Sequence, residues 1–263
     1  MEHVDVDGIR IAYTRAGTGP PLVLLHGAPC DSRTWQWMLP DLARDHTVIA
    51  WDAPGFGESS DIDDNWRAPQ FADALAAFIA ALGLEGPHLV GHSFGTMVAL
   101  ALFQRHPASP ASLVLVGGYA GWAGSLPPDE VARRLEMFVD MAELGDAFDP
   151  RSYPGLFTDL IPADRDAVLA KMMRENMRPA TVRAAGYIGA ETDLRPVLPT
   201  VDVPTLVLHG GADARSPLAN AEALHAAIST SRLVVLPKLG HACVVEDPEA
   251  CAAEIRRFVK SAS

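Results

Sequence analysis

The chain of 263 residues contains only three cysteines, Cys30, Cys243 and Cys251. They cannot close a complete disulfide set, and none forms a C-x-x-C pair. A disulfide-stapled scaffold is thereby excluded, and reduced thiols in a cytoplasmic protein are predicted. Basic residues are also scarce: 21 Lys and Arg stand against 33 Asp and Glu, a formal net charge of −12. That balance argues against nucleic acid or an anionic membrane as partner. No apolar run approaches the roughly 18 residues of a membrane span. Met1 leads directly into polar Glu2-His3-Val4-Asp5, without a basic start or an apolar signal core, so secretion is not expected. Gly17-x-Gly19 and Gly55-x-Gly57 do not complete a dinucleotide fingerprint, and no P-loop occurs. No cofactor is expected.

What the chain does have is a large apolar fraction, 49% hydrophobic residues, enough for a sizeable core. Its length suits one large α/β domain. His3–Asp7 and Ile9–Thr14 alternate apolar and polar residues around Asp7-Gly8, which predicts a hairpin. Leu22–Leu25, Val48–Trp51, Leu89–Val90, Leu113–Val116, Leu206–Leu208 and Leu233–Leu236 are short continuous apolar runs. Runs of this kind suit strands buried on both faces of a parallel sheet. Between them, Phe71, Leu75, Phe78, Ile79 and Leu82 form one apolar helical stripe ended by Gly83. Trp35–Arg44 reads as a helix interrupted at Pro40, and the last helix runs from Pro248 to about Val259. The β-loop-α rhythm predicts a mostly parallel, twisted sheet of about eight strands with helices on both faces.

From Tyr119 to about Leu194 the rhythm stops. Val131, Leu135, Phe138, Val139 and Ala142 mark one amphipathic helix, and Val168, Leu169, Met172, Met173 and Met177 a second. Thr181–Ala190 suits a third. Residues 119–194 are therefore expected to be a helical cap inserted into a core built from 1–118 and 195–263.

The chemistry centres on Gly91-His92-Ser93-Phe94-Gly95, which follows an apolar strand and precedes a run of helix formers. Glycines two positions either side of a serine allow a sharp strand-to-helix turn with the hydroxyl at its apex. A serine hydroxyl is a poor nucleophile at neutral pH and needs a base, itself oriented by a third group. Open α/β sheets gather ligands at the carboxyl ends of their strands, and three loops there carry suitable groups. His26-Gly27-Ala28-Pro29 can aim the amide of Ala28, with that of Phe94, at a developing oxyanion. His209-Gly210-Gly211-Ala212-Asp213 offers an acid, and Pro237-Lys238-Leu239-Gly240-His241 a histidine. Asp52 precedes a Pro-Gly loop and reads as a loop organiser. His26 and His209 read as turn residues, and His92 as a variable elbow position pointing away from the reacting atom. Cys30 reads as a packing residue. His88 and His92 have the i, i+4 spacing of a zinc pair but lie on a strand and turn without the helix and glutamate of such sites, so no metal is expected.

The order Ser93, Asp213, His241 is that of the α/β-hydrolase triad. The chain resembles an α/β-hydrolase-fold enzyme over essentially its whole length. Beside the elbow, His26–Pro29 matches the family's His-Gly-x-Pro oxyanion loop and Asp52–Ser59 its Asp-x-Pro-Gly-x-Gly-x-Ser stretch. Gly210–Asp213 matches its Gly-x-x-Asp, and Gly240-His241 the Gly-His before the last helix. Thr96 replaces a glycine common after the elbow, and Ala28 is smaller than the aromatic residue common there. The resemblance implies a helical cap between the sixth and seventh strands. It also implies a serine nucleophile, Ser93, in place of the aspartate of haloalkane dehalogenases and epoxide hydrolases.

The expected activity is hydrolysis of a small, largely apolar carboxylic ester or lactone through an acyl-enzyme. Carbon–carbon bond hydrolases and cofactor-free perhydrolases share the triad and stay open as alternatives. So does a slow-turnover ligand sensor on the same fold. Tyr119, Trp122, Met137, Phe138 and Met141 are candidates for an acyl pocket in the cap, and each equally suits packing of cap on core.

Overall fold

The computed structural model describes residues 1–262; the last position of the expected core segment, Ser263, lies outside the described residues. The hairpin expected around Asp7-Gly8 is formed by β1 (Glu2–Val6) and β2 (Ile9–Ala16), with both turn residues at positive φ. β3 (Pro21–Leu25) follows. The segment read as one interrupted helix is a 3-10 turn at Ser32–Trp35 and a single helical turn, α1 (Leu39–Leu42), with Pro40 in its first turn. Proline lacks the N–H an interior helical position needs, so the chain breaks before it and restarts at it.

The chain continues through β4 (Thr47–Trp51), α2 (Ala68–Ala81), β5 (His88–His92), α3 (Phe94–Arg105) and β6 (Ser112–Val116). Three longer helices come next: α4 (Pro128–Leu144), α5 (Ala163–Glu175) and α6 (Pro179–Glu191). The sheet resumes with β7 (Thr205–Gly210), α7 (Leu218–Ala227) and β8 (Ser231–Leu236), then α8 (Cys243–Glu246) and α9 (Pro248–Ala262). β5 and β7 each run two residues past their apolar runs, through Gly91-His92 and His209-Gly210. Main-chain pairing, not side-chain polarity, sets where a strand ends.

The eight strands form one sheet in the order β1-β2-β4-β3-β5-β6-β7-β8. β1–β2 and β2–β4 are antiparallel, and every other pair is parallel. The central strands are buried on both faces, which is why they read as unbroken Val/Leu runs. α3 is buried along Phe94–Phe103 and packs on α2, while α9 groups with α1 and α8. The register pairs Leu25 with Gly91, His92 with Val116, Val116 with Leu208, and Gly210 with Leu236. The loops after β3, β5, β6, β7 and β8 therefore leave the sheet along one edge, the carboxyl edge.

The helices α4–α6 lie across that edge. The Asn176 side chain accepts from the Gly57 amide at 2.7 Å and donates to Asp31 at 2.8 Å. Arg178 donates to the carbonyls of Gly55 and Ser59, both at 3.1 Å, and to that of Gly57. The Asp52–Ser59 loop thus anchors the junction of α5 and α6 as well as making a turn. Among the described residues no helix is long and apolar enough to cross a membrane.

Candidate active site

Ser93 joins β5 to α3 with φ 51° and ψ −109°, a conformation an L-residue rarely adopts. Holding it there stores about 1–3 kcal/mol of strain. The flanking glycines make the turn sterically possible. A Cβ on Gly91 would lie 2.5 Å from the Gly95 carbonyl oxygen, and one on Gly95 would collide with the Leu25 carbonyl. Any side chain at either position would push α3 off β3 or β5 and take the hydroxyl with it.

The His241 ring spans the gap between Ser93 and Asp213. Its Nε2 is 3.0 Å from Ser93 Oγ and its Nδ1 is 2.8 Å from Asp213 Oδ2. Asp213 Oδ1 accepts from the amides of Arg215 (2.8 Å) and Ser216 (2.7 Å). Burial by itself raises the Asp213 pKa. The His241 charge and hydrogen bond and the Ser216 amide outweigh it, so the carboxyl is held below its ordinary value. An ionised Asp213 accepts from Nδ1–H and leaves Nε2 free to take a proton from Ser93.

Two groups that hold His241 were not legible as such. His92 does not border the cavity at Ser93 but is bonded to the His241 loop. Its Nε2–H donates to the His241 carbonyl at 2.9 Å, and the two rings lie 5.2 Å apart. The Glu246 carboxylate accepts from the Gly240 amide at 2.6 Å and from Thr158 at 2.8 Å, tying the His241 loop to the segment before α5. Burial, then repulsion from His241, depresses the His92 pKa to about 3, so this ring stays neutral.

Of the other polar residues, His26, Asp52 and His88 bond to the scaffold, while His209 is buried with neither ring nitrogen hydrogen-bonded among the described residues. His26 Nε2 accepts from the Ala53 amide at 3.0 Å, joining the loops after β3 and β4. Asp52 accepts from the amides of Ser32 and Glu58, both at 2.9 Å. His88 bonds to the Ser112 hydroxyl at 2.8 Å. Cys30 is buried, and burial with the Asp31 charge pushes its thiol up to about 12. Among the described residues no group of three or more His, Cys, Asp and Glu side chains could hold a metal ion.

A small cavity of about 10 Å3, the room of one water molecule, lies against Ser93. Ala28 and Phe94 border it. Neither of their amides is committed to another acceptor among the described residues. Tyr119, Trp122 and Phe138 also form its wall, with Met97, Tyr153, Ala185 and Arg215, which had not been singled out. Neither Met137 nor Met141 borders this cavity, although Met137 also lines the depression on the far side of Arg215. They border an outer depression with Asp140 and Leu144. Neighbouring residues on a helix point about 100° apart. Phe138 therefore faces α6, where Gly186 leaves room for it, while Met137 and Met141 lie on another stripe of α4.

Residues 22–254 match the alpha/beta hydrolase family. The chain is similar to a pimeloyl-(acyl-carrier protein) methyl ester esterase of Aromatoleum aromaticum, 32% identical over 92% of this chain and 98% of that one. It is also similar to a non-heme haloperoxidase of Rhodococcus erythropolis, 30% identical over 97% of both chains. Among solved structures, a thermophilic esterase from Thermogutta terrifontis superposes with a TM-score of 0.86 at 30% identity, covering 100% of this chain and 99% of that one. With its eight-stranded sheet, its serine elbow and this near full-length likeness, the chain belongs to the alpha/beta hydrolase family.

Proposed function

We propose that the protein is a serine hydrolase that cleaves small carboxylic esters or lactones through an acyl-enzyme on Ser93. The observation that carries this reading is the unbroken line from Ser93 Oγ through both nitrogens of His241 to Asp213. Ser93 Oγ attacks the carbonyl carbon as its proton passes to His241 Nε2. The tetrahedral oxyanion sits on the amides of Ala28 and Phe94, each such donor being worth about 3–4 kcal/mol. His241 returns the proton to the departing alkoxide. Water then attacks the acyl-serine, His241 again taking the proton, and the acid leaves.

Residues 119–194 act as the cap over a core of 1–118 and the segment from 195 onward. A cavity of about 10 Å3 admits no acyl chain, so Tyr119, Trp122, Phe138 and Tyr153 separate when substrate enters. The unpaired, buried cysteines fit a cytoplasmic protein. The likeness to a haloperoxidase favours a second use of the same acyl-enzyme, in which hydrogen peroxide replaces water and releases a peracid.

Turnover of p-nitrophenyl acetate and butyrate tests the reading, with the Ser93→Ala variant as blank and a fluorophosphonate as covalent label. Turnover well above the blank, with label on Ser93, is expected. A rate equal to the blank, with Ser93 labelled, would leave a ligand sensor as the better description. Folded protein that takes no label would remove Ser93 as nucleophile.

A further inference from the structure

Arg215 stands in the wall between two spaces. On one side is the small cavity at Ser93; on the other is a depression of about 410 Å3 whose rim includes Arg133, Arg134 and Glu130. Arg215 is only 6% exposed, yet its guanidinium meets no carboxylate. Its Nη1 donates to the Pro154 carbonyl at 3.2 Å, and the cation lies 4.2 Å from the centre of the Tyr153 ring. The nearby acids are engaged elsewhere. Asp213 is taken by His241 and two amides, and Glu130 by Arg133 and Arg134. Around this depression three guanidiniums therefore stand with one carboxylate, which pairs with only two of them, in a chain of net charge −12.

A mostly buried cation without a counter-ion is unfavourable, since the guanidinium stays charged and one carbonyl, a ring and the little solvent contact its other nitrogens keep replace only part of its hydration. A ligand carboxylate at this place would remove the deficit, because the guanidinium fork matches a carboxylate in size and geometry. The overall negative charge works against approach of any anion, but beyond about 8 Å it is screened at physiological salt. The local excess of cations decides the contact.

We propose that the substrate is an ester or lactone whose acyl part carries a second, free carboxylate, which binds Arg215 while the ester carbonyl lies against Ser93. The proposal rests on the reading of Ser93 as nucleophile. It replaces a wholly apolar acyl pocket by one that is apolar along its walls, at Trp122 and Phe138, and cationic at its end. Arg215 is then a binding residue that selects the charged acyl chain.

The test compares the monomethyl esters of succinate, glutarate and adipate with the same acyl chains ended by a carboxamide, followed by release of acid. A charge-assisted contact predicts kcat/KM about tenfold to a hundredfold higher for the carboxylate of the best-fitting length. Glutarate should compete with a neutral ester, and glutaramide should not. In Arg215→Gln the ratio of carboxylate to carboxamide kcat/KM should fall at least tenfold. The wild-type comparison stands even where that variant does not fold. Equal kcat/KM for both series, without inhibition by any of the three dicarboxylates, would overturn the carboxylate subsite while leaving the hydrolase intact. No hydrolysis of either series, with no fluorophosphonate label on Ser93, would instead overturn the nucleophile and the subsite with it.

Discussion

Acid should destabilise this protein through His92, and the amount can be worked from its surroundings. The ring is fully buried beside His241, and its Nδ1 has no hydrogen-bond partner among the described residues. Its pKa is about 3 in the folded chain, against an ordinary value near 6.5 in the unfolded one. Below pH 6.5 the unfolded chain therefore binds a proton that the folded chain refuses, so stability is full above that pH and falls as the pH drops toward 3. Between pH 7 and pH 5 this one group removes about 2 kcal/mol. His26, His46, His88 and His209 are likewise depressed by burial and add to the loss. A variant separates His92 from the rest. In His92→Gln an amide can still donate to the His241 carbonyl but carries no titrating group. Urea unfolding at pH 7, 6 and 5, followed by tryptophan fluorescence, gives the stability of each protein at each pH. The wild type should lose about 2 kcal/mol more than the variant over this range. Equal losses would show that His92 is not a buried neutral ring, and the account of how His241 is held would fall.

Asp213→Asn should lower kcat for a reactive ester about 10^4-fold, because the amide favours the wrong His241 tautomer, while far-UV circular dichroism stays unchanged. A loss under tenfold would remove Asp213 from its role. Gly189→Ala places a Cβ within 2.5 Å of Trp122 Cε3. The overpacking of about 1–3 kcal/mol is partly offset by about 1 kcal/mol of helix propensity. A lowered Tm and a shifted acyl-length preference are expected, and an unchanged preference would mean that Trp122 does not shape the acyl site. The thiols of Cys30 and Cys251 are pushed up, by burial at Cys30 and by the Cys243 contact and burial at Cys251, and all three cysteines are buried. Iodoacetamide at pH 8 should leave the native protein unmodified and label it in urea, as mass spectrometry would show; rapid native labelling would refute the assigned burial.

Parts of the site were legible because they depend on local backbone geometry. Gly91 and Gly95 had to be glycines for Ser93 to turn sharply, and that requirement is written in five consecutive residues. Loops after parallel strands emerge on one edge, so the order of Ser93, Asp213 and His241 already implied that they share it. The bond of His92 to the His241 loop was not legible because it is made to a backbone carbonyl 149 positions away. No local pattern encodes such a partner. Where Met137 sits was not legible for another reason. Helical periodicity marks an apolar stripe, but not whether that stripe meets the cavity, the core or the outer surface.

By itself, then, the sequence determined the strand runs, the turns that end them, the serine elbow and the chain order of Ser93, Asp213 and His241. Each follows from short-range sterics or from a periodic apolar pattern. Only the tertiary structure decided which side chains wall the cavity at Ser93. Tyr153 and Arg215 enter it because the segment after α4 and the loop after β7 pack together, a contact made across more than one element. It also decided that Arg215 is left without a carboxylate. The pairing of charges depends on three-dimensional neighbours, and the net charge of −12 gave no hint of a cationic depression so near Ser93.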